Sequence, residues 1–335
     1  MKEYSLSNVH NDFDGYNKLV NFYSEYKDEF LEDIKLNINI WFDANLCSVL
    51  GSIVDKFSES LNSVNFMPSD NIQIILQKNS FLSQFGYSSL SDTYHTTIKY
   101  LKLKTTDGRF FSDYVENQLL IREEFPTMSD AVHEKISQSI YEMFVNAQIH
   151  SETSHIYTCG QYFPARNTLD FTIVDTGIGF AGRIKKNFDL EISSKEAIIW
   201  SLKDGNTTKK DVSGGIGLAL LKEFISQNNG KIQIITGNSL YQMSNRIEDF
   251  LTLDNFFDGT IINMSFKTDD STSYTFVDEL DDEDLSEVYA AARAKLGQQV
   301  DSIFEKYFKH CTPSPEYREL VKYPFFRIYS LNIDD

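Results

Sequence analysis

Cysteine is scarce in this chain, and Cys47, Cys159 and Cys311 stand far apart with no CxxC or Cys/His spacing. That excludes a disulfide framework and a zinc site and points to free thiols in a reducing compartment. Positive charge is scarce too: 31 Lys and Arg against 49 Asp and Glu leave a net charge of -18, and the pI is near 4.7. Such a field repels nucleic acid and anionic membrane, so neither is expected as a partner. No apolar run approaches about 18 residues, which removes a membrane-spanning helix. The opening MKEYSLSNVHNDFDGY has no basic region followed by an apolar one. A secretory leader is therefore not expected, and the expected compartment is the cytoplasm. Internal repeats are absent.

What is present is the composition of an ordered globular protein. Hydrophobic residues make up 41% of the 335 positions, and aromatics 14%, a length that favours two domains over one. Tyr16 to Leu31 has helical spacing, and Ile34 to Trp41 alternates as a strand. Asp43 or Asn45 could cap a helix running through Phe57. Asn71 to Gln77 and Thr97 to Leu103 read as further strands, and Phe110 to Glu123 as a helix. Residues 1–125 thus read as a small α/β domain. Beyond Pro126 come a long helix, Ser129 to Ile149, and strands at His155 to Tyr162 and Leu169 to Val174. A polar segment spans Phe180 to Val212. A helix from Ile216 to Gln227, a turn at Asn228 to Gly230, and strands Lys231 to Thr236 and Gly259 to Phe266 complete this part. After Thr268 acidic residues crowd into what reads as a solvated linker. It precedes a helix, Leu285 to Phe308, whose apolar stripe would dock on the body or on a protein partner.

One constellation carries chemistry. Glu142, Asn146 and His150 recur at four-residue steps on the long helix, and so share one face of an otherwise apolar segment. Buried carboxylate and amide groups are costly unless something pairs with them. Asp175 ends the apolar strand LDFTIVD and is followed by Gly177 and Gly179, which let another group approach the backbone. A carboxylate there can accept hydrogen bonds from an exocyclic amine such as that of adenine. Gly177 to Gly182 formally matches GxGxxG, but the following RIKKNFDLEISS is polar and poorly helical, which argues against a dinucleotide fold. Ser213-Gly214-Gly215-Ile216-Gly217-Leu218 immediately precedes an apolar helix. Its free N–H groups and positive dipole end suit a triphosphate. No Gly-Lys-Ser/Thr closes it, so it is not a P-loop.

Taken together and in this order, Glu142-Met-Phe-Val-Asn146, Asp175-Thr-Gly-Ile-Gly179, Gly215-Ile-Gly-Leu218 and Gly259-Thr260 resemble the motifs of the GHKL ATPases. That family includes the ATP-binding domains of histidine kinases, gyrase B, MutL, Hsp-type chaperones and anti-sigma-factor serine kinases. The resemblance covers about residues 126–268 and implies an α/β sandwich of the Bergerat type, a mixed sheet with helices on one face. A small α/β region, weakly similar to STAS domains, would precede it, and an acidic linker and helical tail, 269–335, would follow.

The roles implied by the resemblance are ATP and Mg²⁺ binding, with Asn146 holding the metal. Glu142 would act on the attacking water or hydroxyl, and Asp175 with Thr260 would read adenine. Gly177 and Gly179 would give room to base and ribose. Gly214, Gly215, Gly217 and Leu218 would cradle the phosphates, His150 would lie near them, and Phe180 to Val212 would be an ATP lid. Of the lid's basic residues, Lys209 and Lys210 are the candidates for phosphate contact, whereas Arg183 and the others are expected to be solvated.

Three uses of ATP follow from the resemblance. The leading one is an ATPase acting as a nucleotide-driven switch, with a protein partner engaged through the N-terminal region or the tail, or with a second copy in a homodimer. A serine kinase of the anti-sigma-factor type fits the Glu-x-x-x-Asn-x-x-x-His spacing. Autophosphorylation at His133 does not fit, because that residue sits about 20 Å along the same helix from Asn146 at 1.5 Å per residue. A sensor that binds ATP without turning it over is the third.

Overall fold

The computed structural model describes residues 2–150, 153–203, 217–279 and 328–332. In chain order the elements are β1 (Lys2–Val9), α1 (Phe13–Tyr26), β2 (Asp33–Phe42), α2 (Cys47–Glu59), β3 (Ser63–Pro68), α3 (Asp70–Lys78), β4 (Thr97–Lys104), α4 (Gly108–Val115), β5 (Thr127–Met128) and α5 (Asp130–His150). They continue as β6 (His155–Phe163), β7 (Thr168–Asp175), α6 (Gly179–Phe188), α7 (Ser194–Leu202), α8 (Gly217–Gln227), β8 (Lys231–Ser244), β9 (Ile247–Lys267), β10 (Thr272–Phe276) and β11 (Ile328–Asn332). The class is mixed α/β. Among the described residues no helix is long and apolar enough to cross a membrane. The expected tail helix, Leu285 to Phe308, lies outside the described residues.

The chain divides into two compact units. The smaller comprises 127–132 and 271–335; its described part contains β10 paired antiparallel with β11 and parallel with β5. Strand β10 therefore falls within the stretch expected to be a solvated linker. Ser129 Oγ and Thr275 Oγ1 both donate to Glu279, at 2.7 and 3.0 Å, so one residue of that acidic run is a structural acceptor.

The larger unit comprises 1–126 and 133–270. It is built on a five-stranded sheet in the order β4-β6-β7-β9-β8. Every neighbouring pair is antiparallel, which corrects the expectation of a mixed sheet. Strand alternation sends Asp170, Thr172 and Val174 of β7 to one face and Phe171, Ile173 and Asp175 to the other. Helices α4, α5 and α8 lie on the second face, where Phe111 stacks on Phe144 at 4.8 Å and Phe224 meets Phe266 at 6.0 Å.

The first face is not open, and this corrects the expectation of helices on one face only. A parallel three-stranded sheet, β1-β2-β3, sends α1 and α2 against it. Their side chains share one core with Tyr157, Cys159, Val174, Ile235 and Ile261 of the large sheet. At roughly 1.5–3 kcal/mol for each large apolar side chain buried, this layer is a major source of stability. Strand β4 is drawn from the first 125 residues, so the N-terminal region also supplies an edge of the sheet.

Three local expectations are corrected. Asn71 to Gln77, read as a strand, is helix α3. Ile72 and Leu76 recur four residues apart and are buried, while Ile74 is 45% exposed, a helical pattern that the run of isoleucines conceals. The polar run after Gly179 is helix α6, which buries Phe180, Arg183 and Ile184 at helical spacing. A dinucleotide fold is excluded instead by topology, because β7 is antiparallel to both neighbours. Phe110 to Glu123 is helical only to Val115 before a single π turn over 116–120.

Polar groups run through the interface between the N-terminal layer and the sheet. Asn45 Nδ2 donates to Thr172 Oγ1 at 3.1 Å and Asn263 Oδ1 at 3.2 Å, and Asn11 Nδ2 donates to Asp170 Oδ2 at 2.8 Å. Asp43, with its side chain fully buried, accepts from the Asn11 N–H, from Trp41 Nε1 and from Arg166 Nη1. Cys47 and Cys159 meet at the same interface as buried free thiols; Cys311 lies outside the described residues.

Asp55 on α2 ties this layer to the sheet, accepting from Lys102 Nζ on β4 and Tyr157 Oη on β6, each at 2.5 Å. Burial presses its carboxyl upward, but these hydrogen bonds outweigh it and hold it below the ordinary 3.8. A depressed folded-state value adds stability that is present above the unfolded pKa and lost as pH falls through the folded one. Urea midpoints measured from pH 7 downward should fall below about pH 4 in the wild type. Asp55→Asn should lower the midpoint at pH 7 and flatten that acid limb. An unchanged slope in the variant would remove Asp55 from the acid response.

Candidate functional site

The site lies at the C-terminal end of β7, on the face that carries α5 and α8. Asp175 is the last residue of the strand and stands directly opposite Thr260 of β9. It reaches that position because β9 bends there. Gly259 has φ +127, and a Cβ on it would lie 2.0 Å from the Asp175 carbonyl oxygen. Only glycine allows the two chains to come so close. The carboxylate of Asp175 accepts the Gly177 N–H at 3.0 Å, which turns the chain toward α6. Gly179 then adopts φ +64 and faces Thr236. Thr236 Oγ1 donates to the Gly259 carbonyl at 2.9 Å and accepts the Phe180 N–H at 3.2 Å, pinning the start of α6 to β8 and β9.

Asp175 is buried and faces Arg183 of α6, whose Nη2 lies 3.6 Å from Oδ2. Burial raises the Asp175 pKa against the opposing pull of Arg183, and burial lowers the Arg183 pKa against that of Asp175. Each group is thus less comfortable as an ion than it is in water, even with the other beside it. Arg183 was expected to be a solvated lid residue; it is 7% exposed instead, with its guanidinium 5.3 Å over the ring of Phe180.

A cavity of about 70 Å³ opens beside this pair. Glu142, Asn146, Asp175, Leu218 and Thr260 all line it, together with Arg183, Phe180 and Trp200. Residues of α5, β7, α6, α7, α8 and β9 therefore converge. Arg183, on this lining, keeps a buried Nε with no hydrogen-bond partner, whereas the Thr260 hydroxyl lies against the Asp175 carboxylate and helps to hold its charged form. An orphaned group such as Nε costs about 1–3 kcal/mol unless something supplies a partner. It marks the cavity as a place for a polar ligand.

On the other side, Glu142 reaches the start of α8. Its Oε2 accepts the Gly217 N–H at 3.1 Å, and a Cβ on Gly217 would lie 2.3 Å from that oxygen. The carboxylate therefore occupies the positive end of α8, which is where an anion is favoured. His150 is the last residue of α5. Lys209, Lys210, Gly214 and Gly215 lie outside the described residues. Among the described residues no group of three or more His, Cys, Asp or Glu could hold a metal ion. A divalent cation here would use the amide of Asn146 and oxygens of the ligand, a donor set that suits Mg²⁺.

Of the residues singled out in the sequence, the structure brings Glu142, Asn146, Asp175, Leu218 and Thr260 to one cavity; Arg183, Thr236 and Trp200, which build its surroundings, were not singled out. Arg183 carried a signal, its place on the Phe180/Ile184 side of a helix, but only once that helix is granted. Thr236 and Trp200 carried none, because their roles depend on β8 and α7 arriving from elsewhere in the chain. No family model and no curated protein matches this chain.

Two glycines separate strain from close approach. Gly259→Ala should destabilise the protein by more than about 3 kcal/mol, because it adds a backbone overlap to an unfavourable φ. Gly86 has φ +87 and open space around its Cβ position, so Gly86→Ala should cost only about 1–2 kcal/mol. Equal losses in chemical denaturation would show that the Gly259 contact carries no weight.

Proposed function

We propose that this chain binds Mg-ATP in the cavity beneath Asp175 and uses it as a nucleotide-driven regulatory switch with ATPase activity. The observation that carries this reading is the orphaned buried Nε of Arg183 beside the Asp175 carboxylate, on a cavity that Asn146, Glu142 and Thr260 also line. The resemblance to GHKL ATPases supplies the ligand class. A lone carboxylate at a strand end would not suffice for this reading; a carboxylate with an unmatched buried donor beside it and a helix N-terminus close by fits a nucleotide.

In this reading Asp175 accepts from the exocyclic amine of adenine, and Thr260 completes the edge contact from across the strand. The base would lie against Met143, Ile173 and Ile262, which line the same cavity. At about 70 Å³ the cavity is well below the roughly 300–1,000 Å³ of ordinary ligand pockets. Nucleotide entry therefore requires α7, which contributes Trp200 and Ser201, to withdraw. That displacement is the conformational signal, and α7 packs on β8 of the sheet that the N-terminal layer covers.

Asn146 would hold Mg²⁺, which when bound neutralises charge across the phosphates. The phosphates would take over the positive end of α8 that Glu142 now occupies. Glu142, which lines the cavity, would then accept a proton from an attacking water. Its hydrogen bond from the Gly217 N–H favours a second reading. A Glu142 that stays on Gly217 would leave a sensor that binds ATP without hydrolysing it.

Calorimetry and phosphate release on the full chain distinguish these outcomes. Wild-type protein should bind Mg-ATP and release phosphate. Asp175→Ala should weaken binding by about 10- to 100-fold, the worth of a hydrogen bond to a charged group. Glu142→Ala should keep the affinity and lower turnover by about 10²–10⁴-fold, the range for a general base. Tight binding with no turnover in the wild type favours the sensor, label transferred from γ-labelled ATP to a protein favours a kinase, and no binding at all ends the ATP reading.

A further inference from the structure

Arg183 does more at this site than neutralise Asp175. Its contact with the carboxylate is end-on, through Nη2 at 3.6 Å. A guanidinium whose whole task was to balance a carboxylate would pair through two parallel N–H groups, the stronger arrangement. Here the Nε–H is enclosed and has no acceptor. The side chain is held on one flank by the Phe180 ring at 5.3 Å. Its helix is fixed at the N-terminal end by the Thr236 hydroxyl, which accepts the Phe180 N–H at 3.2 Å. A rigidly held, buried donor without a partner therefore stands beside a buried acceptor, and both line one cavity.

That pairing has a chemical complement. A carboxylate oxygen next to an N–H donor matches a heteroaromatic edge with an amine next to a ring-nitrogen acceptor. Adenine presents this edge as its exocyclic amine and N1. We infer that Arg183 is the second base-reading residue of the site, donating from Nε to N1 of adenine while Asp175 accepts from the exocyclic amine. This inference rests on the ATP reading above. It explains why the site keeps a guanidinium that burial disfavours, and it supplies discrimination that Asp175 alone lacks. A hypoxanthine base reverses both groups on that edge, setting a carbonyl against Asp175 and an N–H against Arg183. It is refused at both positions, because unmatched buried polar groups are what make such sites selective.

The test uses ATP, 1-deaza-ATP and ITP on the full chain, with wild-type protein and Arg183→Met, read by isothermal titration calorimetry. 1-Deaza-ATP keeps the amine and loses only the N1 acceptor. Wild-type protein should bind it about 10- to 100-fold more weakly than ATP, and ITP more weakly still. Arg183→Met should bind ATP and 1-deaza-ATP within about twofold of each other, because the two changes remove one and the same contact. Equal wild-type affinities for ATP and 1-deaza-ATP would overturn the assignment of Arg183 and leave the ATP reading standing. A further loss on 1-deaza-ATP in the variant would overturn it as well. Failure of the wild type to bind ATP would remove the ATP reading and this inference with it. The wild-type comparison decides the matter by itself if Arg183→Met does not fold.

Discussion

The site depends on how closely the end of β7 approaches the bend in β9. At Gly259 the two backbones come within a distance that no side chain could share, since a Cβ there would lie 2.0 Å from the Asp175 carbonyl. That approach sets Asp175 opposite Thr260, brings the Gly259 carbonyl to the Thr236 hydroxyl, and through Thr236 holds the first turn of α6. The position of Arg183 follows from the position of α6. A chain of short-range consequences thus runs from one missing methyl group to the charge arrangement of the whole pocket.

The opposite face of the sheet meets a different demand. Strands buried on both faces are usually apolar throughout, yet β7, β8 and β9 place Asp170, Thr172, Gln233, Asn263 and Ser265 under the N-terminal layer. Burying such groups is costly unless they are matched, and Asn11 of that layer donates to Asp170 while Asn45 donates to Thr172 and Asn263. Matched polar pairs of this kind specify one docking geometry more sharply than an apolar surface would, because a shifted layer leaves every pair unmatched. The sheet that carries the site therefore keeps a fixed relation to the N-terminal layer behind it.

Much of the site was legible in the residues themselves. Four-residue spacing put Glu142 and Asn146 on one side of a helix, and an apolar strand ending in aspartate and followed by glycines marked Asp175. The structure brings both into one cavity with Thr260 and Leu218. Two local patterns misled. The run of isoleucines in α3 imitates a strand, and the lysines of α6 obscure its buried stripe of Phe180, Arg183 and Ile184. In each case a few buried positions decide the structure, and the more numerous exposed ones dominate the composition.

By itself the sequence determined the α/β class, most of the elements near the site and the polar residues those elements carry, because hydrophobic period and glycine placement are local properties of the chain. Only the tertiary structure decided that the sheet is antiparallel throughout and covered on both faces. Only it decided that Arg183 is buried against Asp175 and that Glu142 rests on the start of α8. These depend on which strands pair and which helices meet, over separations that no local pattern encodes. The unmatched buried Nε of Arg183 is of this second kind, since a donor lacks a partner only when the whole fold has been arranged around it.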